Sequence, residues 1–260
     1  MKKIAIIGAG NMGSAIAESL NGSDYQVWFT ATSQKTLDKV AKSCPNAVPS
    51  LSNTEAVKGA DIIVLAVKPY LIDNVVSEIN PEIKHGATII SVAAGITTWD
   101  LEQIMAAQER KLNVFRVIPN TAIRLGKSAT FISHSDDSTP ESVAEVEAIF
   151  SLSGTVFPVE ESKMAACTAL SSCGIAYFLR FLRAAAEGAV EIGLKPGFAT
   201  EVAAVTAEGA AALVEDGGHP EAEIDKVTTP GGITIRGLNA MEDHGFTRAV
   251  IAGIRASYIK

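Results

Sequence analysis

The sequence is short of the residues that would quickly narrow its chemistry. It has three cysteines, Cys44, Cys167 and Cys173, in 260 residues. The number is odd and there is no C-x-x-C, so neither a disulfide framework nor a thiolate zinc site is expected. The thiols read as small apolar residues in a reducing cytoplasm. The four histidines, His85, His134, His219 and His244, stand apart. With no H-E-x-x-H and no His/Cys pairing, no metal site is expected. The G-x-S-x-G of a nucleophile elbow is also missing. Positive charge is not in excess, the formal net charge being −7. That argues against nucleic acid or an anionic membrane as partner. Long apolar runs are few. The longest uncharged stretch, Met164–Leu179, is slightly short for a membrane span and carries Thr168, Ser171 and Ser172, so a buried helix is expected there. No signal-peptide pattern is visible, and no repeat or low-complexity segment.

What remains is ordinary for a soluble protein of one or two domains, with 47% apolar and 20% charged residues. The informative stretch comes first. Lys3-Ile4-Ala5-Ile6-Ile7 is apolar and largely β-branched, and Gly8-Ala9-Gly10-Asn11-Met12-Gly13 follows at once. Met12, Ala15, Ile16, Ser19 and Leu20 then recur at helical spacing. A G-x-G-x-x-G on a strand–turn–helix is a dinucleotide fingerprint, whereas the bare motif is weak. Gly8 permits the tight turn, Gly10 lets a pyrophosphate reach the backbone, and Gly13 lets the helix pack close on the strand. Unpaired N–H groups at the helix start, including those of Asn11 and Met12, would face the phosphates.

The end of the second strand, Tyr25–Phe29, bears on cofactor choice. An acidic residue there would hold the ribose hydroxyls of NAD. Instead the segment reads Thr30-Ala31-Thr32-Ser33-Gln34-Lys35. The hydroxyls of Thr32 and Ser33, with a lysine, suit a 2′-phosphate, so NADPH is expected ahead of NADH, which the residues also admit. Ser33 equally suits a cap for the next helix, Gln34–Lys42.

Further strands are expected at Asp61–Val67, Ala87–Val92, Val114–Val117, Ala129–Ile132 and Thr155–Phe157. Helices are expected at Leu51–Gly59, Tyr70–Ile79, Leu101–Gln108 and Glu141–Leu152. This alternation predicts an α/β, Rossmann-type doubly wound sheet over residues 1–158. From 159 to 260 the pattern is all-helical and rich in alanine and glycine, with helices at Ala199–Glu215, Ile233–Glu242 and Phe246–Tyr258. About a hundred residues of such helices make a thin layer alone. They are expected to bury their remaining faces against a second copy, as a dimerisation and substrate-binding domain.

Ligands of open α/β sheets sit at the carboxyl ends of the strands. Besides the glycine turn, that edge should carry Ala66-Val67-Lys68-Pro69, Ala93-Ala94-Gly95 and Val117-Ile118-Pro119-Asn120-Thr121. Lys68 is either a solvated strand-end lysine or a group meeting the cofactor and reacting atoms. Asn120 either caps a turn or lines the pocket. In the second domain, Thr229-Pro230-Gly231-Gly232-Ile233-Thr234 opens a helix with two glycines. Its N–H groups, with the Thr234 hydroxyl, could hold a carboxylate, or the turn simply caps the helix. The lack of an obvious general acid suits hydride transfer, where positioning supplies most of the acceleration.

Taken together, Gly8–Gly13, Ala66–Pro69, Ala93–Gly95, Arg116–Thr121, Thr168-Ala169-Leu170-Ser171 and Val227–Thr234 resemble the pyrroline-5-carboxylate reductase family over nearly the whole chain. The resemblance implies an N-terminal domain binding NAD(P)H and a helical domain forming an interlocked homodimer, in some members built into larger rings. It implies a cyclic imino-acid substrate whose carboxylate sits against Gly231, Gly232 and Thr234, with hydride passing to the imine carbon to give proline. Asn53, Ala66 and Lys68 match positions near the cofactor and Thr168 one near the substrate, which makes Thr168 and Lys68 the candidate catalytic residues. The sequence departs from the family where Leu170-Ser171-Ser172-Cys173-Gly174-Ile175-Ala176-Tyr177 replaces Leu-Ser-Gly-Ser-Gly-Pro-Ala-Tyr, and where Ala122 replaces a proline. Side chains at Ser172 and Ile175 should reshape the helix wall by the pocket. Two other readings are a β-hydroxyacid-dehydrogenase-like oxidoreductase, which leaves the Pro-Gly-Gly-x-Thr turn unexplained, and a non-catalytic dinucleotide-binding regulator.

Overall fold

The structure, a computed structural model, describes residues 1–258. It divides into two units, Met1–Ser172 and Cys173–Lys260. The sequence expectation placed the division after residue 158. The contacts place it inside a π-helical stretch, Thr168–Cys173.

The first unit runs β1 (Lys2–Ile7), α1 (Asn11–Ser19), β2 (Tyr25–Thr30), α2 (Gln34–Ser43), β3 (Val48–Ser50), α3 (Asn53–Val57), β4 (Ile62–Leu65) and α4 (Ile72–Ile79). It continues with β5 (Thr88–Ser91), α5 (Thr98–Met105), α6 (Ala107–Arg110), β6 (Asn113–Ile118), β7 (Ser128–His134), α7 (Pro140–Ser151), β8 (Gly154–Pro158) and α8 (Met164–Cys167). The strands form one sheet ordered β3-β2-β1-β4-β5-β6-β7-β8. All pairs are parallel except β6 with β7. The first six strands follow the dinucleotide-binding order, with the reversal between β1 and β4.

Alternation along the strands explains why both faces are covered. Ile4 and Ile6 of β1, with Ile62 and Val64 of β4, pack on Ile16 of α1, Leu37 of α2 and Phe150 of α7. Ala5, Ile7, Ile63 and Leu65 face the other way, onto Val57 of α3, Ile72 and Val76 of α4 and Leu101 of α5. Phe29, Phe115 and Phe150 are fully buried. Truncating such a side chain to alanine costs about 3–5 kcal/mol.

Three local differences from the sequence pattern have physical causes. The edge strand β3 is three residues long and contains Pro49, too little for a periodic signal. The helix expected at 51–59 is only α3, which starts after the Ser52 cap. The helix expected at 101–108 begins at Thr98, because Thr97 and Asp100 form a capping box, and it ends where Ala106 turns left-handed at φ 47°.

The second unit is all-helical: α9 (Gly174–Glu191), α10 (Pro196–Glu215), α11 (Pro220–Val227), α12 (Ile233–Asp243) and α13 (Phe246–Ala256). Tyr177 of α9 bonds the Gly253 carbonyl at 3.4 Å and the Ser257 hydroxyl, and the Phe181 and Phe246 rings lie 6.1 Å apart. Among its described residues only Gly174, Ala186 and Ala199 are buried. The expectation of a buried helix over Met164–Leu179 is therefore corrected. Leu170, Phe178 and Leu179 are exposed, because the chain by itself offers too few neighbours to cover them. Two helical stretches, Glu161–Glu191 and Pro196–Glu215, have the length and composition to cross a membrane.

Candidate active site

The glycine turn joins β1 to α1 at the carboxyl edge of the sheet. Gly8 has φ +99°, and a Cβ there would meet Val67 Cγ1 at 2.8 Å and the Ala66 carbonyl oxygen at 2.9 Å. A Cβ on Gly13 would lie 2.0 Å from the Gly8 carbonyl oxygen and 3.0 Å from the Ala66 Cβ. Gly10, the N-cap of α1, is different: a Cβ there would meet nothing within 4 Å. The helix carries no side-chain cap and no acidic residue in its first turn. The start of α1 is thus an open cradle of N–H donors with the partial positive charge of a helix terminus, which fits a dinucleotide pyrophosphate.

The cradle is braced from behind. The Gly8 N–H donates to Thr30 Oγ1 at 3.2 Å, and the Ala9 N–H donates to the Thr30 carbonyl at 2.6 Å. Thr30 Oγ1 donates to Asn53 Oδ1 at 2.7 Å, and Asn53 Nδ2 donates to Glu78 Oε2 at 2.9 Å. Asn53 therefore sits at the cradle, one bond removed from the Gly8 turn. Sequence reasoning noted Thr30 only as part of the segment after the second strand and missed its bond to Asn53, and it missed Glu78 altogether. Thr30 ends the strand beside the fingerprint, and that position was the available signal.

The other edge segments fall where the strand order puts them. Ala66, Val67, Lys68 and Pro69 follow β4, and the first two touch the glycine turn as described. Lys68 is exposed, with no side-chain partner among the described residues. Ala93, Ala94 and Gly95 follow β5. The Ala93 N–H donates to Ser91 Oγ at 3.2 Å, and Gly95 takes φ +79°. Thr32 and Ser33 follow β2 and are exposed. Ser33 caps α2, its Oγ accepting from the Thr36 N–H at 3.3 Å. All of these lie on the carboxyl edge of neighbouring strands.

At the far end of the first unit, Thr168 donates its hydroxyl to the Met164 carbonyl at 2.7 Å. Burial pushes the neighbouring Cys167 thiol up, so it is no ready nucleophile. The π-helical stretch is pinned to the end of β6. Asn120 Nδ2 donates to Ser171 Oγ at 3.1 Å, and Ser172 Oγ donates to the Pro119 carbonyl at 3.2 Å. Ser171 Oγ also reaches the Ala129 carbonyl at 3.4 Å. Asn120 does cap the following turn, accepting from the Ala122 N–H at 3.0 Å. The stretch Thr168–Cys173 winds wide as a π-helix, and such π-bulges are frequent at functional sites.

The second unit carries the glycine-opened turn. Gly231 has φ +70°, and Gly232 caps α12. A Cβ on Gly232 would lie 2.5 Å from Thr229 Oγ1. The start of α12 has no side-chain cap and no acidic residue in its first turn. Thr234 lies in that first turn, exposed. The residues fit an anion, as the cradle at α1 does. Among the described residues no group of three or more His, Cys, Asp or Glu is placed to hold a metal.

Residues 161–260 match the family model described as pyrroline-5-carboxylate reductase dimerisation, and residues 3–95 match that of the NADP oxidoreductases described as coenzyme F420-dependent. The chain is 36% identical to pyrroline-5-carboxylate reductase 1 of Dictyostelium discoideum over 98% of its own length, and spans 48% of that relative. It is likewise 36% identical to the pyrroline-5-carboxylate reductase of Methanosarcina acetivorans, covering 98% of this chain and 96% of the relative. The crystal structure of Plasmodium falciparum pyrroline carboxylate reductase with NADP bound superposes with a TM-score of 0.88 at 27% identity, over 98% of this chain and 95% of that one. With a Rossmann-type unit, a helical dimerisation unit and this likeness running through both, the chain belongs to the pyrroline-5-carboxylate reductase family.

Proposed function

We infer that this chain reduces 1-pyrroline-5-carboxylate to L-proline with NAD(P)H, NADPH being preferred. The likeness to named reductases over 98% of the chain carries the reading, because it takes in both the α1 cradle and the α12 turn. The β-hydroxyacid dehydrogenase reading accounts for the first alone.

When bound, a reduced nicotinamide supplies the hydride. The chain's own part is to bind, orient and hold protons. Gly8, Gly10, Asn11, Met12 and Gly13 hold the pyrophosphate. Thr32 and Ser33 take the 2′-phosphate, and the absence of a carboxylate in the first turn of α2 supports this. Asn53, Ala66, Val67, Lys68, Pro69, Ala93, Ala94 and Gly95 line the rest of the cofactor site. The start of α12, with Gly231, Gly232 and Thr234, grips the substrate carboxylate. The Thr168 hydroxyl donates its hydrogen bond to the Met164 carbonyl, which leaves the oxygen's lone pairs free to accept from a protonated imine N–H. The exposed Lys68, next after Val67 at the end of β4, is the second candidate catalytic residue.

The functional division is residues 1–158 for the dinucleotide and 159–260 for dimerisation and substrate. The working form is a homodimer, supported by the match of residues 161–260 to a dimerisation region. The apolar helical stretches lie within that match, which supports a partner copy rather than a membrane as their cover. The free thiols of Cys44, Cys167 and Cys173 support a cytoplasmic setting.

The test is to mix purified protein, NADPH and 1-pyrroline-5-carboxylate and follow the absorbance of the reduced nicotinamide. Steady loss with that imine and none with keto acids is the expected result. Tight NADPH binding with no turnover would return the chain to a regulatory role.

A further inference from the structure

A charge pair with a buried arginine and a half-buried glutamate, 31% exposed at its side chain, lies outside the residues assigned above. Arg116 of β6 stands in register between Ser91 of β5 and Ser133 of β7. Its side chain is 9% exposed, and its Nη1 donates to Glu161 Oε1 at 2.6 Å. Its Nε is buried with no acceptor among the described residues, so Glu161 is its one side-chain acceptor there. The other oxygen of Glu161 faces the Thr98 hydroxyl at 3.4 Å. Asp100 lies close enough that its carboxyl feels the arginine. The Thr97 hydroxyl and N–H hold that carboxyl below its ordinary value, burial opposes them, and the Arg116 charge adds to them.

These contacts tie three segments together. Thr98 opens α5 three residues after Gly95, so the Ala93–Gly95 turn leads into it through Ile96 and the Thr97 cap. Glu161 opens the 3₁₀ turn Glu161–Lys163, which runs straight into α8 and Thr168. Arg116 is the fixed post on a central strand between them. We propose that the Arg116–Glu161 pair is a positioning latch that holds the Ala93–Gly95 turn and Thr168 in fixed mutual register for the reduction. The inference rests on the function proposed above. Stability alone gives little reason for such a pair, because an ion pair with one partner open to water adds little and its buried half gains no more than an apolar side chain of similar volume would. What the planar guanidinium adds is orientation, since its donors fix where the carboxylate sits. Orientation matters here because a displacement of about 1 Å between reacting groups can cost on the order of a hundredfold in rate.

The test compares wild type, Glu161→Gln, Arg116→Lys and the apolar pair Arg116→Met with Glu161→Leu. Turnover, the Michaelis constant for the imine, NADPH affinity by fluorescence and thermal midpoint are measured in each. A latch predicts that turnover falls about tenfold or more in every variant, with NADPH affinity and the Michaelis constant within about twofold. The apolar pair recovers the thermal midpoint without recovering turnover. Wild-type turnover in any folded variant overturns the proposal, as does recovery of turnover together with stability in the apolar pair. Amide hydrogen exchange supplies a readout independent of catalysis. In Glu161→Gln, residues 93–98 and 161–168 should lose protection together while α1 keeps its own, and unchanged protection overturns the latch. Absence of turnover in the wild type would instead sink the assigned reaction and leave the exchange result to judge the latch.

Discussion

The hydroxyl of Thr30 donates to Asn53 Oδ1 at 2.7 Å while accepting the N–H of Gly8 at 3.2 Å. A single side chain at the end of β2 thus links the fingerprint turn to the start of α3. Replacing it by valine leaves the Gly8 N–H without its side-chain acceptor and Asn53 without its donor. Loss of such partners costs about 1–3 kcal/mol. Thr30→Val should lower the thermal midpoint and weaken NADPH binding about tenfold. Unchanged binding by fluorescence titration would show that the turn holds its shape without this brace.

Gly13→Ala tests the cradle more severely. The added methyl would sit 2.0 Å from the Gly8 carbonyl oxygen, a backbone atom that cannot swing aside. Helix α1 must therefore back away from β1, at a cost of about 1–3 kcal/mol of overpacking. Cofactor affinity should fall at least a hundredfold, read by the same titration in a variant whose far-ultraviolet circular dichroism stays native. Gly10→Ala, with open space around its Cβ, should spare stability and hurt binding alone.

Cofactor preference turns on the end of β2. Thr32→Asp places a carboxylate where a 2′-phosphate would sit, and like charges repel. The ratio of kcat/KM for NADPH over NADH should drop tenfold or more. Ser33→Ala should also cost about 1 kcal/mol of stability, because Ser33 caps α2. A ratio that stays put in both variants would remove these residues from cofactor choice.

Thr234→Ala should raise the Michaelis constant for the imine more than it lowers kcat, the pattern expected when a group grips a part of the substrate that does not react. Steady-state kinetics with saturating NADPH give the split directly. An unmoved Michaelis constant would leave the turn before α12 as a helix cap only.

The acid limb of stability has a named contributor. Burial pushes the Asp61 carboxyl up, but the hydrogen bond from Lys84 and the backbone N–H of Lys3 outweigh it, so the group sits below its ordinary value. A carboxyl depressed in the folded state binds fewer protons than in the unfolded chain. Its contribution is present above the unfolded value, about 3.9, and fades as pH falls through the lower folded value. Asp61→Asn should therefore unfold at a higher pH on acid titration than wild type and show a shallower loss below about pH 4. Coincident acid curves would remove Asp61 from that limb.

Much of this architecture is legible in the sequence. The β1–α1 unit could be read because glycine spacing, β-branched run and helical period all change at the same residues. The core strand β4 could be read because both its faces are covered, which forces a continuous apolar run. The antiparallel β7 was visible as a strand, but its direction depends on pairing with β6, which no local pattern records. The partners of Thr30 and Arg116, and the parts played by Glu78 and Glu161, were hidden for a related reason. Each of these residues acts through a partner 22 to 45 residues away, and a lone threonine or arginine has no period. The widened helix at Thr168–Cys173 was hidden too, since the three contacts that pin it run to Pro119 and Asn120 after β6 and to Ala129 of β7, which no local pattern records.

The bareness of α9 and α10 has a consequence for handling. A layer with three interior positions gains little by folding alone, so its order is borrowed from whatever seals it. If the seal is another copy, mass action applies, and heat tolerance climbs with protein concentration. Dilution then becomes a denaturant for the last third of the chain, while the sheet, with its own filled interior, keeps its shape.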